Sequence, residues 1–258
     1  MSVREERDGR GVVRLVLDAP ASRNALSAEM MDALTETAAR LSAGSDARIV
    51  VLAGAGETFC AGGDLNWMRA QANATNEERR QEARRLADML GALNRLPQAV
   101  IARVQGGAFG GGVGLMSVCD VVLVADNARF GLTETRLGLI PATIGPYVVA
   151  RIGVGAARRT MLSGERFGAE EAVRLGLAAK AVAANDLDAA IEQEVEAHLK
   201  AAPGAIAAAK AMIHDLAGGI DERDVERSVD RLTERWSSEE AGEGIAAFFD
   251  RRKPGWSA

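Results

Sequence analysis

The sequence predicts an α/β protein with an all-helical C-terminal region. Three observations carry this expectation. Strand-period and helix-period segments alternate from residue 12 to about 185; most of the strand segments are continuous apolar runs, as in strands buried on both faces; and from about residue 186 only helical periods remain. The chain accordingly divides into a core, 1–185, and a helical region, 186–258.

The elements follow in order. "VVRLVLD" at 12–18 alternates Val13, Leu15 and Leu17 onto one face, the period of a strand. "SAEMMDALTETAARL" at 27–41 places Met30, Leu34, Ala38 and Leu41 at helical spacing behind Ser27, a candidate N-cap. "RIVVLAG" at 48–54 is a β-branched run ending in glycine, so the chain is expected to open strand, helix, strand. A helix at about 77–96, a strand at 99–104, a short helix at about 112–119 and a strand at 121–125 continue the alternation, which implies parallel sheet with crossover connections. The stretches beginning at 186, 203, 221 and 239 are helical in period, and their apolar faces need the core or another subunit to cover them.

Composition narrows the function classes. The chain has 258 residues and a net charge of −5, enough length to bury a core without disulfide staples. Its charges are mixed along the chain with no extended basic stripe, which disfavours nucleic acid as the ligand. No run approaches the roughly 18–20 apolar residues of a membrane span, and "MSVREERDGRG" has no apolar signal core, so a cytoplasmic protein is the expectation. Cys60 and Cys119 lack CxxC or Cys/His spacing and read as reduced thiols, Cys119 as core. His198 and His214 fall in helical segments without a partnering motif, so neither a metal site nor a triad is expected.

Two glycine-rich loops follow strands, "GAGETFCAGGDL" at 54–65 and "GGAFGGGVGL" at 106–115. Neither fits a dinucleotide or P-loop pattern: GxGxxG registers from Gly54 and Gly112 meet Phe59 and Ser117, and no GxxxxGK[ST] occurs. Bare backbone can bring N–H groups close to a ligand atom, and two such loops could aim two donors at one developing negative charge. Equally, these glycines could serve only tight turns and close helix packing.

"AGGDL" at 61–65, "GGAFGGGVGLMSVCD" at 106–120, "ARFGLTETRLGLIP" at 128–141, "LSGERFGAEEAVRLGL" at 162–177 and "EGIAAFFDRRKP" at 243–254 together resemble the crotonase family, the enoyl-CoA hydratases and isomerases. The resemblance spans nearly the whole chain in order. It implies a crotonase-like spiral of repeated strand-strand-helix units and a helical C-terminal trimerisation region, giving homotrimers or dimers of trimers. By position it implies that the backbone N–H groups of Gly63 and Gly111 hold the thioester oxygen of an acyl-CoA. Ala61, Gly62, Asp64 and Leu65 would border the adenine end of coenzyme A, Arg23 and Ala25 of "SRNAL" the pantetheine and phosphates, and Ala142 joins the substrate-binding set. Lys253, from a neighbouring subunit, is a second phosphate candidate; both cations also fit a solvated surface role. Coenzyme A enters as part of the substrate, and no separate cofactor or metal is implied.

Well-known hydratases of this family hold a water between two glutamates. The later one matches Glu134; the earlier position is Gly114, which puts the two-carboxylate mechanism in doubt. Leu132, Leu137 and Ile140 near Glu134 imply apolar surroundings that would raise its pKa, although a surface carboxylate in a loop is the plain alternative. "ETRLGLIPATIGPYVVARIG" departs from the family's "PGxGGxxRL" at Ala142, Thr143, Ile144 and Pro146, and resembles hydratases of branched or carboxylated enoyl-CoAs such as 3-methylglutaconyl-CoA and isohexenylglutaconyl-CoA, a subgroup that tends to lack the first glutamate. The expectation is a hydratase with Glu134 as base and a substrate carboxylate using the space beside Gly114. A 3-enoyl to 2-enoyl isomerase and a non-catalytic thioester binder are the alternatives. Trp67, Met68, Met116, Ile144 and Tyr147 are acyl-pocket candidates, each equally suited to ordinary core.

Overall fold

A computed structural model describes residues 2–44 and 46–257. The chain opens with β1 (Val3–Arg7), β2 (Val12–Leu17), α1 (Ala28–Ser42) and β3 (Ile49–Gly54). It continues through α2 (Leu65–Asn73), α3 (Asn76–Asn94), β4 (Ala99–Val104), β5 (Gly107–Phe109), α4 (Gly111–Ser117) and β6 (Val121–Ala125). Then come β7 (Arg129–Gly131), α5 (Gly145–Ser163), β8 (Phe167–Gly168), α6 (Ala169–Arg174) and β9 (Lys180–Val182). Four helices close the chain: α7 (Leu187–Leu199), α8 (Pro203–Leu216), α9 (Glu222–Trp236) and α10 (Glu239–Phe249).

Six strands form one sheet in the order β1-β2-β3-β4-β6-β9, parallel apart from β1 against β2. The register stacks Val13 beside Val50 and Val50 beside Val100, hydrocarbon that both faces of the sheet keep from water. β5, β7 and β8 make a second, smaller sheet. It begins where β4 ends and thereby turns the chain toward the cavity described below. Ser27 caps α1 by accepting from the Met30 N–H at 3.2 Å, as its position predicts.

The expectation that the chain opens strand, helix, strand is corrected by β1. Its sequence, VREER, buries only Val3 and leaves Arg4, Glu6 and Arg7 toward solvent, where Arg4 pairs with Glu6 and Arg7 with Glu5. A charged edge strand of this kind lacks an alternating apolar signal, and its charges discourage pairing with another sheet edge.

The closing helices each find a surface. α7 lies on β3, β4 and β6, and α9 on α3, with Leu232, Val229 and Trp236 sharing a buried cluster with Ala83, Leu139 and Ile245. α10 packs against α9 and the turn at Glu134–Leu137. α8 is held through Lys210, whose buried ammonium donates to Asp120 at 2.7 Å and to the Gln98 carbonyl at 3.2 Å; its Met212, Ile213 and Leu216 stay exposed. Among the described residues no helix is long and apolar enough to cross a membrane.

Candidate active site

A cavity of about 670 Å³ opens between the two glycine loops, the turn at Glu134 and the closing helices. The loops are fastened side by side. The Cys60 N–H donates to the Gly107 carbonyl at 3.2 Å and the Phe109 N–H to the Cys60 carbonyl at 3.1 Å, an isolated bridge from the first loop to β5. Gly106 is required for this approach: a Cβ there would stand 1.8 Å from the Glu57 carbonyl oxygen, at a φ of +65°.

The same bonding leaves two N–H groups over. The Leu26 N–H donates to the Gly62 carbonyl at 2.7 Å and the Asp64 N–H to the Leu26 carbonyl at 3.2 Å, so the intervening Gly63 N–H is turned to the other side of its strand. Gly111 is the first residue of α4, where an N–H has no acceptor within the helix. Among the described residues neither N–H meets an acceptor, and both glycines line the cavity. Unspent donors beside a cavity can hold a developing oxyanion.

Glu134 begins the turn Glu134–Leu137, its carbonyl accepting from the Leu139 N–H at 3.0 Å. Its carboxylate reaches back over the loop before α4: a Cβ on Gly110, where φ is +48°, would stand 2.9 Å from Glu134 Oε1. Oε2 is buried without a hydrogen-bond partner. Burial pushes the carboxyl up to about 7, only partly opposed by a bond to its own backbone, so acid and base forms both exist near neutrality. Glu134 is the only carboxylate lining the cavity among the described residues.

The structure gathers most of the residues singled out from the sequence. Arg23, Ala25, Ala61, Gly62, Leu65, Trp67, Met68, Ala142 and Ile144 line the cavity together with Gly63, Gly111 and Glu134. Arg23 is exposed, in a left-handed conformation with φ 54°. Asp64 lies outside the lining: its carboxylate accepts the Asn66 and Trp67 N–H groups at 2.9 and 3.0 Å and serves as the N-cap of α2. Lys253 follows α10 and lies outside the lining of this chain's cavity.

Three further corrections concern the acyl pocket. Met116 is fully enclosed core and Tyr147 is 3% exposed beside Gly91; neither reaches the cavity, since residue type alone does not separate pocket from core. The space beside Gly114 is not open for a substrate carboxylate: a Cβ there would stand 2.6 Å from Ile144 Cγ2. Leu232 and Trp236 of α9 and Phe248 of α10 complete the wall of the cavity.

Other contributors escaped the sequence reading. Asn24, fully buried, accepts the Ala19 N–H at 3.0 Å and donates to the Ala55 and Thr58 carbonyls at 2.8 Å each, tying "SRNAL" to the first glycine loop. Its neighbours in an asparagine-bearing, turn-like segment were the available signal. Arg166 lines the cavity with its guanidinium 5.2 Å above the Phe109 ring. Trp67 donates to Glu82 at 2.8 Å and meets Trp236 edge to face at 6.4 Å, which locks the two rings into the wall. Both thiols are enclosed, and burial pushes each up to about 12, so they are not nucleophiles.

Residues 7–258 match the family model described as enoyl-CoA hydratase/isomerase. Enoyl-CoA hydratase AKT6-1 of Alternaria alternata is 32% identical over 244 residues, 94% of this chain and 80% of that protein. An enoyl-CoA hydratase structure from Mycobacterium avium is 34% identical with a TM-score of 0.89, covering 99% of both chains. Pseudomonas aeruginosa AtuE is 37% identical with a TM-score of 0.81 over 100% of each chain. The α/β core with a helical C-terminal region, expected from the resemblance, is thus the architecture of solved enoyl-CoA hydratases.

Proposed function

The chain belongs to the enoyl-CoA hydratase/isomerase family, and from that premise we propose that it adds water across the 2,3 double bond of an acyl-CoA thioester with a single glutamate as acid and base. What supports the reading is one carboxyl group, Glu134, raised to about 7 in a cavity lined also by Gly63 and Gly111, whose N–H groups meet no acceptor among the described residues.

In this mechanism the thioester oxygen lies against the two N–H groups. Glu134 takes a proton from a water as the water oxygen bonds to the β-carbon, and the double-bond electrons move onto the thioester oxygen as an enolate. Glu134 then returns that proton to the α-carbon, the enolate collapses, and water has been added with every proton accounted for. Arg23 and Arg166 at the lining supply positive charge for the anionic coenzyme A portion of the substrate, and no further cofactor takes part. The substrate we favour is a branched or carboxylated 2-enoyl-CoA, on the departures at Ala142, Thr143, Ile144 and Pro146. The exposed Met212, Ile213 and Leu216 of α8 suit the subunit contact of a homotrimer or dimer of trimers.

The lone carboxylate also favours a second reading, a 3-enoyl to 2-enoyl isomerase, in which Glu134 moves one proton from the α-carbon to the γ-carbon. Purified protein incubated with 2-enoyl, 3-enoyl and 3-methylglutaconyl thioesters, with products read by mass and by the ultraviolet absorbance of the conjugated 2-enoyl thioester, decides between them. A gain of one water supports the hydratase; a shifted double bond at unchanged mass supports the isomerase; no conversion of any thioester overturns both.

A further inference from the structure

The mid-helix position of Gly114 is at odds with ordinary helix physics. Gly114 lies inside α4, has no positive φ, and is fully enclosed, so alanine there should favour the helix. What forbids a side chain is a single neighbour, the residue that opens α5. Ile144, 2% exposed, sets its Cγ2 2.6 Å and its Cβ 3.0 Å from where a Cβ on Gly114 would stand, with Leu90 Cδ1 next at 3.6 Å. Ile144 also lines the cavity, whereas Gly114 does not. The two sequence departures, a glycine where the family carries its first glutamate and an isoleucine in place of a glycine of "PGxGG", therefore meet in space.

We propose that Gly114 and Ile144 form one size-exchange pair: Ile144 fills the volume that a side chain at 114 would need, presents hydrocarbon where a second carboxylate would stand, and makes the acyl site selective for thioesters whose β-carbon bears an alkyl branch. The selectivity rests on the hydratase reading; the exchange of volume does not. A glutamate at 114 and an isoleucine at 144 exclude one another, so the number of acid-base groups in this cavity is set by residue 144 as much as by residue 114. Ile144 is a specificity-determining residue in this account, acting through shape on the acyl group that Glu134 serves.

The test begins with a stability cycle of Gly114→Ala, Ile144→Gly and the double variant. Each single change is expected to lower the melting temperature by about 5 °C or more, and the double variant to lie well above the sum of the two losses. Strict additivity, or a Gly114→Ala variant as stable as the parent, overturns the pair. This arm needs no substrate, so it stands or falls separately from the reaction. Next, Ile144→Ala is compared with the parent on a β-methyl-branched 2-enoyl-CoA and on crotonyl-CoA. The ratio of kcat/KM is expected to move about tenfold away from the branched thioester with inhibition by free coenzyme A unchanged; an unchanged ratio overturns the selectivity. Finally, Gly114→Glu with Ile144→Gly is expected to hydrate crotonyl-CoA on the order of 10² times faster than Gly114→Glu alone. Equal rates in those two variants overturn the exclusion.

Discussion

The two walls of the cavity are built from different material. On the loop wall, Gly63 and Gly111 offer main-chain N–H groups, and Glu134 comes over a glycine that leaves its carboxylate room. On the helix wall, Leu232, Trp236 and Phe248 offer hydrocarbon from the last part of the chain. The first wall is fixed by backbone bonds between neighbouring loops, the second by side-chain packing across the molecule. Chemistry is therefore expected to be sensitive to single atoms on the loop wall, while binding and stability respond to bulk on the helix wall.

The sharpest way to break that contrast is Glu134→Gln, which keeps the shape and removes the group we propose as the base. Turnover is expected to fall on the order of 10²–10⁴-fold with thioester binding nearly intact, read by steady-state kinetics and by calorimetric titration. In the parent enzyme kcat/KM should rise with pH through about 7, since the ionised form is the base. Stability should run the other way. A carboxyl raised from 4.5 to about 7 contributes stability that is present below 4.5 and lost as pH rises through 7. The Gln variant should therefore match the parent near pH 4 and exceed it above pH 7 by on the order of 2 kcal/mol, checked by denaturant titration at both pH values. Equal stability at pH 8 would place the carboxylate in water.

Next in size is the loss of one donor. Gly111→Pro removes the N–H at a helix position that tolerates proline, and should lower kcat by about 10²–10³. Gly111→Ala is the control, because its Cβ meets the same Leu26 Cδ1 at 2.6 Å while the N–H survives. The difference between the two variants isolates the donor, and similar rates for both would remove Gly111 from the oxyanion site. On the opposite wall, Trp236→Ala deletes a ring that is 7% exposed and edge-on to Trp67. Stability should fall by about 3–5 kcal/mol, and KM should rise more than kcat falls. A kcat effect as large as that of Gly111→Pro would erase the distinction between the walls.

The same contrast explains what could be read in the sequence. β2, α1, β3, β4 and β6 lie within a residue or two of their expected bounds because each shows its burial as a period. Glu134, Gly63 and Gly111 are singled out by motif, and the structure brings the three to one cavity because backbone loops and short spacings hold them there. The helix wall is different: Leu232, Trp236 and Phe248 are ordinary apolar positions of amphipathic helices, and nothing local says which cavity they reach. Met116 and Tyr147 failed for the same reason in reverse, being core residues beside a site. β1 was hidden by charges that suit an edge strand, and the collision between Gly114 and Ile144 exists only once α4 and the start of α5 are brought together.

Asn24 gives the smallest effect and joins both kinds of evidence, since it is a side chain that does the work of backbone. It holds a left-handed conformation, φ 55°, which asparagine tolerates better than most residues. Its amide gives two hydrogen bonds to the loop that carries Gly63 and takes one from Ala19. Asn24→Ala should cost about 1–3 kcal/mol because two carbonyls and one N–H lose their partner in a buried place, with a change in KM larger than that in kcat. Asn24→Asp sharpens the point. It keeps the acceptor for Ala19 but turns an ionisable oxygen toward the Ala55 and Thr58 carbonyls, which disfavours the charged form. Its folded-state pKa is therefore raised, and its stability relative to the parent should be best in acid and should decline as pH rises through that value. A pH-independent deficit in that variant would mean that the loop rearranges to let water reach position 24, and the first glycine loop would then owe its position to the main-chain bonds of Cys60, Gly62 and Asp64 rather than to this side chain.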